Sequence, residues 1–256
     1  MKHENIRSCI LLCGGMSRRM GQDKGTMLIN EKPMIIHILE KLNYQIDEVI
    51  IVLNDEKRIA KYKSLIQNHI KNKLKTDFDY EMIFLEDEIK NQGPLSGIMT
   101  GLKTIKGKYG LVLPCDSPFI TSNFIKNMFN ILNENLEEEI FIEGIVPYHN
   151  KNMDLLEKLT KEKELPEDIG FKNSLINNSE PLHSIYKSSI YPDIEELLHS
   201  NKNDVKSLIK NINSYFIPIY DNISNEDNKK NNYSTHGINN IENNFKNINS
   251  KEDLDN

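Results

Sequence analysis

The chain has 256 residues with 32 Lys and Arg against 38 Asp and Glu, a net charge of −6, which argues against a general nucleic-acid binder, because such proteins usually present a basic face. No apolar run approaches the roughly 18–20 residues of a membrane span, and Cys9–Cys13, after the polar Met1–Arg7, is shorter than a signal-peptide core of about 7–15 residues; both point to the cytoplasm. The three cysteines, Cys9, Cys13 and Cys115, have neither metal-ligand spacing nor an even number, so they read as small buried apolar residues.

Ser8–Leu12 is a short apolar run ended by Gly14-Gly15, which suits a fully buried parallel strand. Pro33–Leu42 carries Ile35, Ile36, Leu39 and Leu42 at helical spacing. Glu48–Leu53 reads as a second strand, Glu56–Ile70 as an amphipathic helix and Tyr80–Leu85 as a third strand. Pro94–Ile105 predicts a helix, Gly110–Leu113 a strand stopped by Pro114, and Thr121–Leu132 a helix with Thr121 or Ser122 as N-cap. Alternation of this kind implies an α/β fold, a mostly parallel sheet covered by helices on both faces.

The second half is less regular. Ile140–Val146 predicts a strand, Asn150–Gly170 is charged and helix-like at first, and Asn173–Glu180 reads as a loop. Ser184–Tyr186 and Tyr215–Ile219 predict strands, Ser188–His199 and Val205–Ile212 helices. Asp221–Asn244 is polar and Asn-rich and reads as a flexible insert with little to bury. Apolar anchors return at Phe245, Ile248 and Leu254. We take the whole chain, 1–256, as one domain. It falls into a regular first half, about 8–132, and a less regular second half, about 133–256, with inserts near 150–179 and 221–244.

Three segments carry the chemistry. Leu11–Lys24, LLCGGMSRRMGQDK, runs from a buried strand into a loop holding Gly14, Gly15 and Gly21 with Arg18, Arg19 and Lys24. Glycines let backbone N–H groups approach a ligand closely, and the cations stand at the carboxyl edge of the sheet, where open α/β sheets bind ligands. The spacing fits neither a Walker loop nor a dinucleotide fingerprint. Leu111–Phe119, LVLPCDSPF, delivers Asp116 to the same edge; one carboxylate beside phosphates is a natural Mg²⁺ ligand. In Leu85–Gly101 a strand ends in acids and Gly93-Pro94 opens a helix. Together these predict a nucleoside triphosphate, a metal and chemistry at phosphorus. His37, His69, His149, His183 and His199 are scattered and receive no catalytic role.

With these motifs in hand, the chain resembles the molybdenum cofactor guanylyltransferase (MobA) family. LLCGGMSRRMGQDKGTML is similar to its L-A-G-G-x-S-x-R-M-G-x-D-K-x-x-L motif, EDEIKNQGPLSGI to its E-D-x-x-x-x-x-G-P-L-x-G, LPCDSPFI to its C-D-x-P-F-[IL], and FKNINSKEDL to its terminal F-x-N-[IV]-N-[TS]-x-E-[DE]-L. The likeness is continuous from Ile10 to about Leu132 and returns at Pro181–Ile212 and Phe245–Leu254.

The resemblance implies a Rossmann-like three-layer α/β/α nucleotidyltransferase fold. It also implies Mg²⁺-dependent transfer of GMP from GTP to the molybdenum–molybdopterin cofactor, with release of pyrophosphate. Leu12, Cys13 and Gly14 fall on the family's nucleotide-binding turn, with Gly15 beside them. Lys24 falls on its phosphate-binding lysine, Asn54 and Asp87 on GTP-binding positions, Asp116 on its magnesium ligand, and Arg19 on the motif arginine near the phosphates. Lys24, Arg19 and Asp116 are therefore the expected catalytic set. Molybdoenzymes and other cofactor-biosynthesis proteins are further implied partners.

The chain departs from the pattern at Cys13, where Ala is usual, in the longer Asn150–Ser179 region, at Asn201–Val205, where the family carries Gly and Arg, and at the insert 221–244. Two other readings stand beside the first. One is a related transferase using CTP or another acceptor; the other is a non-catalytic, chaperone-like cofactor binder. Nucleotide preference in a turnover assay separates the first two, and absence of turnover identifies the third.

Overall fold

The computed structural model describes residues 3, 5–14, 23–72, 78–149, 169–220, 238–239, 244–246 and 248. The first half runs β1 (Ser8–Leu12), a 3-10 turn (Lys24–Thr26), β2 (Leu28–Ile29), β3 (Lys32–Pro33), α1 (Met34–Leu42), β4 (Glu48–Leu53), α2 (Glu56–Asn72), β5 (Glu81–Glu86), α3 (Pro94–Thr104), β6 (Tyr109–Pro114) and α4 (Ser122–Glu137). The second half runs β7 (Gly144–His149), α5 (Ile169–Asn177), β8 (Ile185–Lys187), α6 (Tyr191–His199), α7 (Val205–Asn211), β9 (Ser214–Tyr220) and β10 (Ile238–Asn239), with 3-10 turns at Pro181–His183 and Ser188–Ile190.

Eight strands form one sheet in the order β10-β9-β7-β8-β6-β1-β4-β5. β5, β4, β1 and β6 are mutually parallel, as are β7, β9 and β10; β8 lies antiparallel between the two blocks. Every residue of β4 and β6 is buried, as near-continuous apolar runs in a doubly covered sheet require. One face packs against α1, α2 and α4 through Ile35, Leu39, Tyr62, Phe124 and Met128. The other packs against α3, α6 and α7 through Ile98, Leu102, Ile194 and Leu208. The architecture is thus the expected three-layer α/β/α arrangement.

Several boundaries differ from the sequence reading. The strand expected at Ile140–Val146 forms at Gly144–His149 instead, and Phe141 stays 60% exposed. The loop expected at Asn173–Glu180 is helical as far as Asn177, because Leu175 and Ile176 are buried against the body of the protein. β2 and β3 form an unanticipated hairpin whose turn places Asn30 and Glu31 at φ 48° and 63°. A two-residue hairpin turn favours positive φ at both positions, and glycine, its usual sequence signal, is absent here.

The charged stretch 150–168 lies outside the described residues, as does most of the insert expected at 221–244. Where that insert is described it does bury residues. Ile238 and Asn239 pair with Ile219 and Tyr220, and the buried Asn244 accepts a hydrogen bond from the Thr121 amide at 2.9 Å. Ile248 is fully buried and Phe245 packs on the core, as expected; Leu254 lies outside the described residues.

Candidate active site

β1 has β4 on one side and β6 on the other. This is a switch point of an open α/β sheet, and crevices form beyond the carboxyl ends of strands there. A cleft of about 500 Å³ opens at that place, and Leu12, Gly14, Lys24, Asn54, Asp87 and Asp116 all line it. Six predicted site residues from five separate segments are therefore brought together. Cys13 lies just behind the cleft, fully buried. Gly15 and Arg19, with Arg18 and Gly21, lie outside the described residues. Gly93, Pro94 and Gly97 complete one wall.

Sequence locality explains how each wall is built. At the end of β1, Cys13 donates its amide to Val52 O at 2.8 Å, so the turn leaves the sheet still tied to β4. A Cβ on Gly14 would overlap Asn54 Oδ1; only glycine lets that turn lie against the asparagine. Gly93, at φ 72°, precedes Pro94 at the first turn of α3, the usual arrangement of a free backbone followed by a pre-set one. Asp87 extends from β5, its amide held by Leu53 O at 2.7 Å. Its Oδ1 accepts from Ser96 Oγ and Thr100 Oγ1, both on α3, and from the Ile89 amide. Burial pushes the Asp87 carboxyl up, and those hydrogen bonds offset part of the rise.

Lys24 sits on the 3-10 turn, and its Nζ lies 2.7 Å from Asp116 Oδ2 with both side chains largely buried. The two predicted phosphate and metal residues thus face each other across the cleft. The Asp116 segment is pinned from three directions. Cys115 N donates to Leu12 O at 3.0 Å, Ile248 N donates to Asp116 O at 2.9 Å, and Ser117 Oγ shares a hydrogen bond with His183 Nε2 at 3.0 Å. The Ile248 contact brings that residue of the carboxyl-terminal motif to the Asp116 segment.

His183 Nδ1 lies 3.6 Å from Glu180 Oε2, and His149 Nε2 lies 3.0 Å from Glu180 Oε1. The Phe245 ring lies against both imidazoles and Phe124. A Ser–His–Glu series has the makings of a nucleophile, but Ser117 and His183 are each only 1% exposed. The network is a strut beneath the site. Burial pushes the Glu180 carboxyl up, but hydrogen bonds and charge from His149 and His183 outweigh it and hold its pKa at about 2. Sequence reasoning left Glu180 and His183 unassigned, because their other partners, His149 and Ser117, lie far away along the chain.

The 201–205 stretch, where the family pattern is broken, has a local structural role. Asn201 turns the chain at φ 56°. Asp204 caps α7 by accepting from Ser207 N at 2.9 Å, and the Asn203 carbonyl lies against Gly93 on the cleft wall.

The donor set fits a hard cation carried in with phosphate. No group of three or more His, Cys, Asp or Glu able to hold a metal occurs among the described residues. Mg²⁺ needs only one or two carboxylates when phosphate oxygens and water complete its shell. The Cys13 thiol, pushed well up by burial and by its hydrogen bond with Cys115, is no thiolate ligand.

The MobA-like NTP transferase domain model matches residues 9–215. The chain belongs to this family. A MobA-like domain thus extends well beyond the continuous motif region and includes the antiparallel β8 and the altered 201–205 stretch. A protein of Methanothermobacter thermautotrophicus named "probable molybdenum cofactor guanylyltransferase" is 31% identical over 82% of this chain and 85% of its own. One of the same name from Peptoclostridium acidaminophilum is 29% identical over 82% of this chain and 75% of its own. The crystal structure of molybdopterin-guanine dinucleotide biosynthesis protein A from Archaeoglobus fulgidus shares the fold, with a TM-score of 0.61 at 20% identity over 97% of this chain and 95% of that one. This MobA-like chain is a nucleotidyltransferase.

Proposed function

We propose that the chain transfers GMP from GTP to the terminal phosphate of the molybdenum–molybdopterin cofactor, releasing pyrophosphate. The observation that carries this reading is the convergence of Gly14, Lys24, Asn54, Asp87 and Asp116 on one switch-point cleft. The names of relatives matched over most of their length support this choice of acceptor.

Phosphoryl-group chemistry of this kind asks for positioning and charge neutralisation rather than covalent help. The Cys13–Gly14 turn and Asn54 receive the nucleoside, and Asp87 offers a carboxylate to it. Lys24 exchanges its pairing with Asp116 for phosphate oxygens, and Asp116 is then free to hold Mg²⁺. When bound, the cation supplies neutralisation of phosphate charge. The acceptor phosphate is already anionic at neutral pH, so no side chain need act as general base. The family resemblance makes Arg19, which lies outside the described residues, the second phosphate cation.

Turnover of the purified protein with Mg²⁺, molybdenum cofactor and each of GTP, CTP, ATP and UTP tests the reading. GTP is the expected donor. A preference for CTP would give the chain to the cytidylyl reading, and binding with no turnover for any nucleotide would make it a non-catalytic cofactor binder. Asp116→Asn is expected to abolish metal-dependent turnover while circular dichroism and melting temperature stay near wild type, since the lost charge matters to a hard cation far more than to packing. Near-wild-type activity in that variant would remove Asp116 from the metal site.

A further inference from the structure

Beneath the cleft, and outside its lining, three residues of α2 meet the turn that carries Lys24. Arg58, Lys61 and Tyr62 share one face of the helix by their spacing. Tyr62 Oη donates to Asp23 Oδ1 at 2.5 Å. Lys61 Nζ donates to Thr26 Oγ1 at 3.0 Å. A Cβ on Gly25 would overlap Tyr62 Oη, so the phenol lies directly on the 3-10 turn. Arg58 spans further: its Nη1 donates to Cys13 O at 3.4 Å and Gly14 O at 3.3 Å, while its Nε lies 3.5 Å from Asp23 Oδ2. Both charged side chains are nearly buried, at 11% and 7% exposure. One guanidinium therefore grips the chain where it leaves β1 and where it returns at Asp23, the residue next to Lys24.

We infer that Arg58 is a positioning residue for nucleotidyl transfer: it fixes the Cys13–Gly14 turn relative to Lys24, and so sets where the triphosphate and the lysine meet. The inference rests on the proposed role of Gly14 and Lys24 as the nucleotide site. The reason for arginine is its planar fork, which spends one edge on two carbonyls and another on a carboxylate; a lysine ammonium in the same place is a point charge that cannot span them. α2 is itself fixed to the cleft. Asn54 lines it, and the next residue, Asp55, caps the helix by accepting from the Arg58 amide at 2.9 Å.

The test is a double-mutant cycle on kcat/KM for GTP, with melting temperature as control. Arg58→Lys keeps a cation opposite the buried Asp23, so the fold is expected to survive. Its kcat/KM is expected to fall about tenfold or more, because small misplacements of a reacting group are costly. In the Lys24→Ala background the same change should cost about threefold or less, because residues acting through one another are not additive. An undiminished loss in that background, a loss that tracks unfolded protein, or an Arg58→Lys enzyme within about twofold of wild type each overturns the inference. Should Arg58→Lys fail to fold, Tyr62→Phe, which removes only the hydroxyl bonded to Asp23, carries the same cycle. Its kcat/KM should drop about threefold, again shrinking without Lys24, and an unchanged value overturns the inference. A wild-type protein that neither binds nor uses GTP would instead overturn the proposed function itself, and this inference with it.

Discussion

Lys24 and Asp116, 92 positions apart in sequence and 2.7 Å apart in space, show what a charge pair at the mouth of a cleft can do. Each keeps the other's charge compensated, and in the proposed reaction phosphate and metal would take over those roles. Lys24→Ala is expected to reduce turnover roughly 10²–10³-fold, the loss seen when one preorganised charge stabiliser is removed. If Lys24 were only a solvated loop charge, the loss would stay below about threefold and vanish at high salt, since exposed charges are screened over ~8–10 Å. Measuring kcat and KM at low and high salt decides between the two.

Glu180 is the other residue whose setting makes a firm prediction. Its folded pKa, about 2, lies below the ordinary value of 4.5. A depressed carboxylate stabilises the fold above its unfolded pKa and loses that contribution as pH falls through the folded one. The window is therefore from pH 4.5 down to about 2. The melting-temperature gap between wild type and Glu180→Gln should be present at pH 4.5 and close towards pH 2. A gap that ignores acid would show that the His149–Glu180–His183 network does not hold the Asp116 segment as described.

Among the elements, α4 shows how local signals and distant ones combine. Thr121 Oγ1 accepts from the Phe124 amide at 3.1 Å, the cap anticipated from sequence. The Thr121 amide, in turn, is taken by Asn244, more than a hundred residues away. Thr121→Ala should cost about 1 kcal/mol, a fall in melting temperature of roughly 2–4 °C for a chain of this size. A thermal scan showing no fall would mean that Asn244 alone holds this helix end.

The same contrast explains what was legible. Strands β1, β4 and β6, buried on both faces, announce themselves as apolar runs, the half-buried edge strand β5 reads the same way, and glycines and prolines mark their exits. The residues expected at those exits accordingly come together on one cleft. α5 was missed because Asn173, Asn177 and Asn178 interrupt its helical pattern, and only the burial of Leu175 and Ile176 overrides them. Arg58 was passed over because a solvated helix face and a clamp read alike until the partner carbonyls are in view.

At the scale of the whole molecule, β8 joins two parallel blocks into one sheet. It matches β6 at three positions, Tyr109 to Leu111, and β7 at only two, Gly144 and Ile145, whereas β7 and β9 match at six. The neighbouring β1–β6 and β7–β9 ladders are longer, so the β8 seam is expected to open before them, in the sense that stability is unevenly distributed within a fold. Native-state hydrogen exchange should show the amides of Ile185, Tyr186 and Lys187 opening by sub-global events while those of β1 and β4 wait for global unfolding. Equal protection across all three strands would contradict this. Leu182 and Asp116 stand on the cleft wall, and the His183–Ser117 hydrogen bond joins the β8 approach to the end of β6. Breathing at the seam would therefore widen the cleft on its Leu182 side and leave the wall built on β1 and β4 closed, so that one opening mode changes access to only part of the cleft.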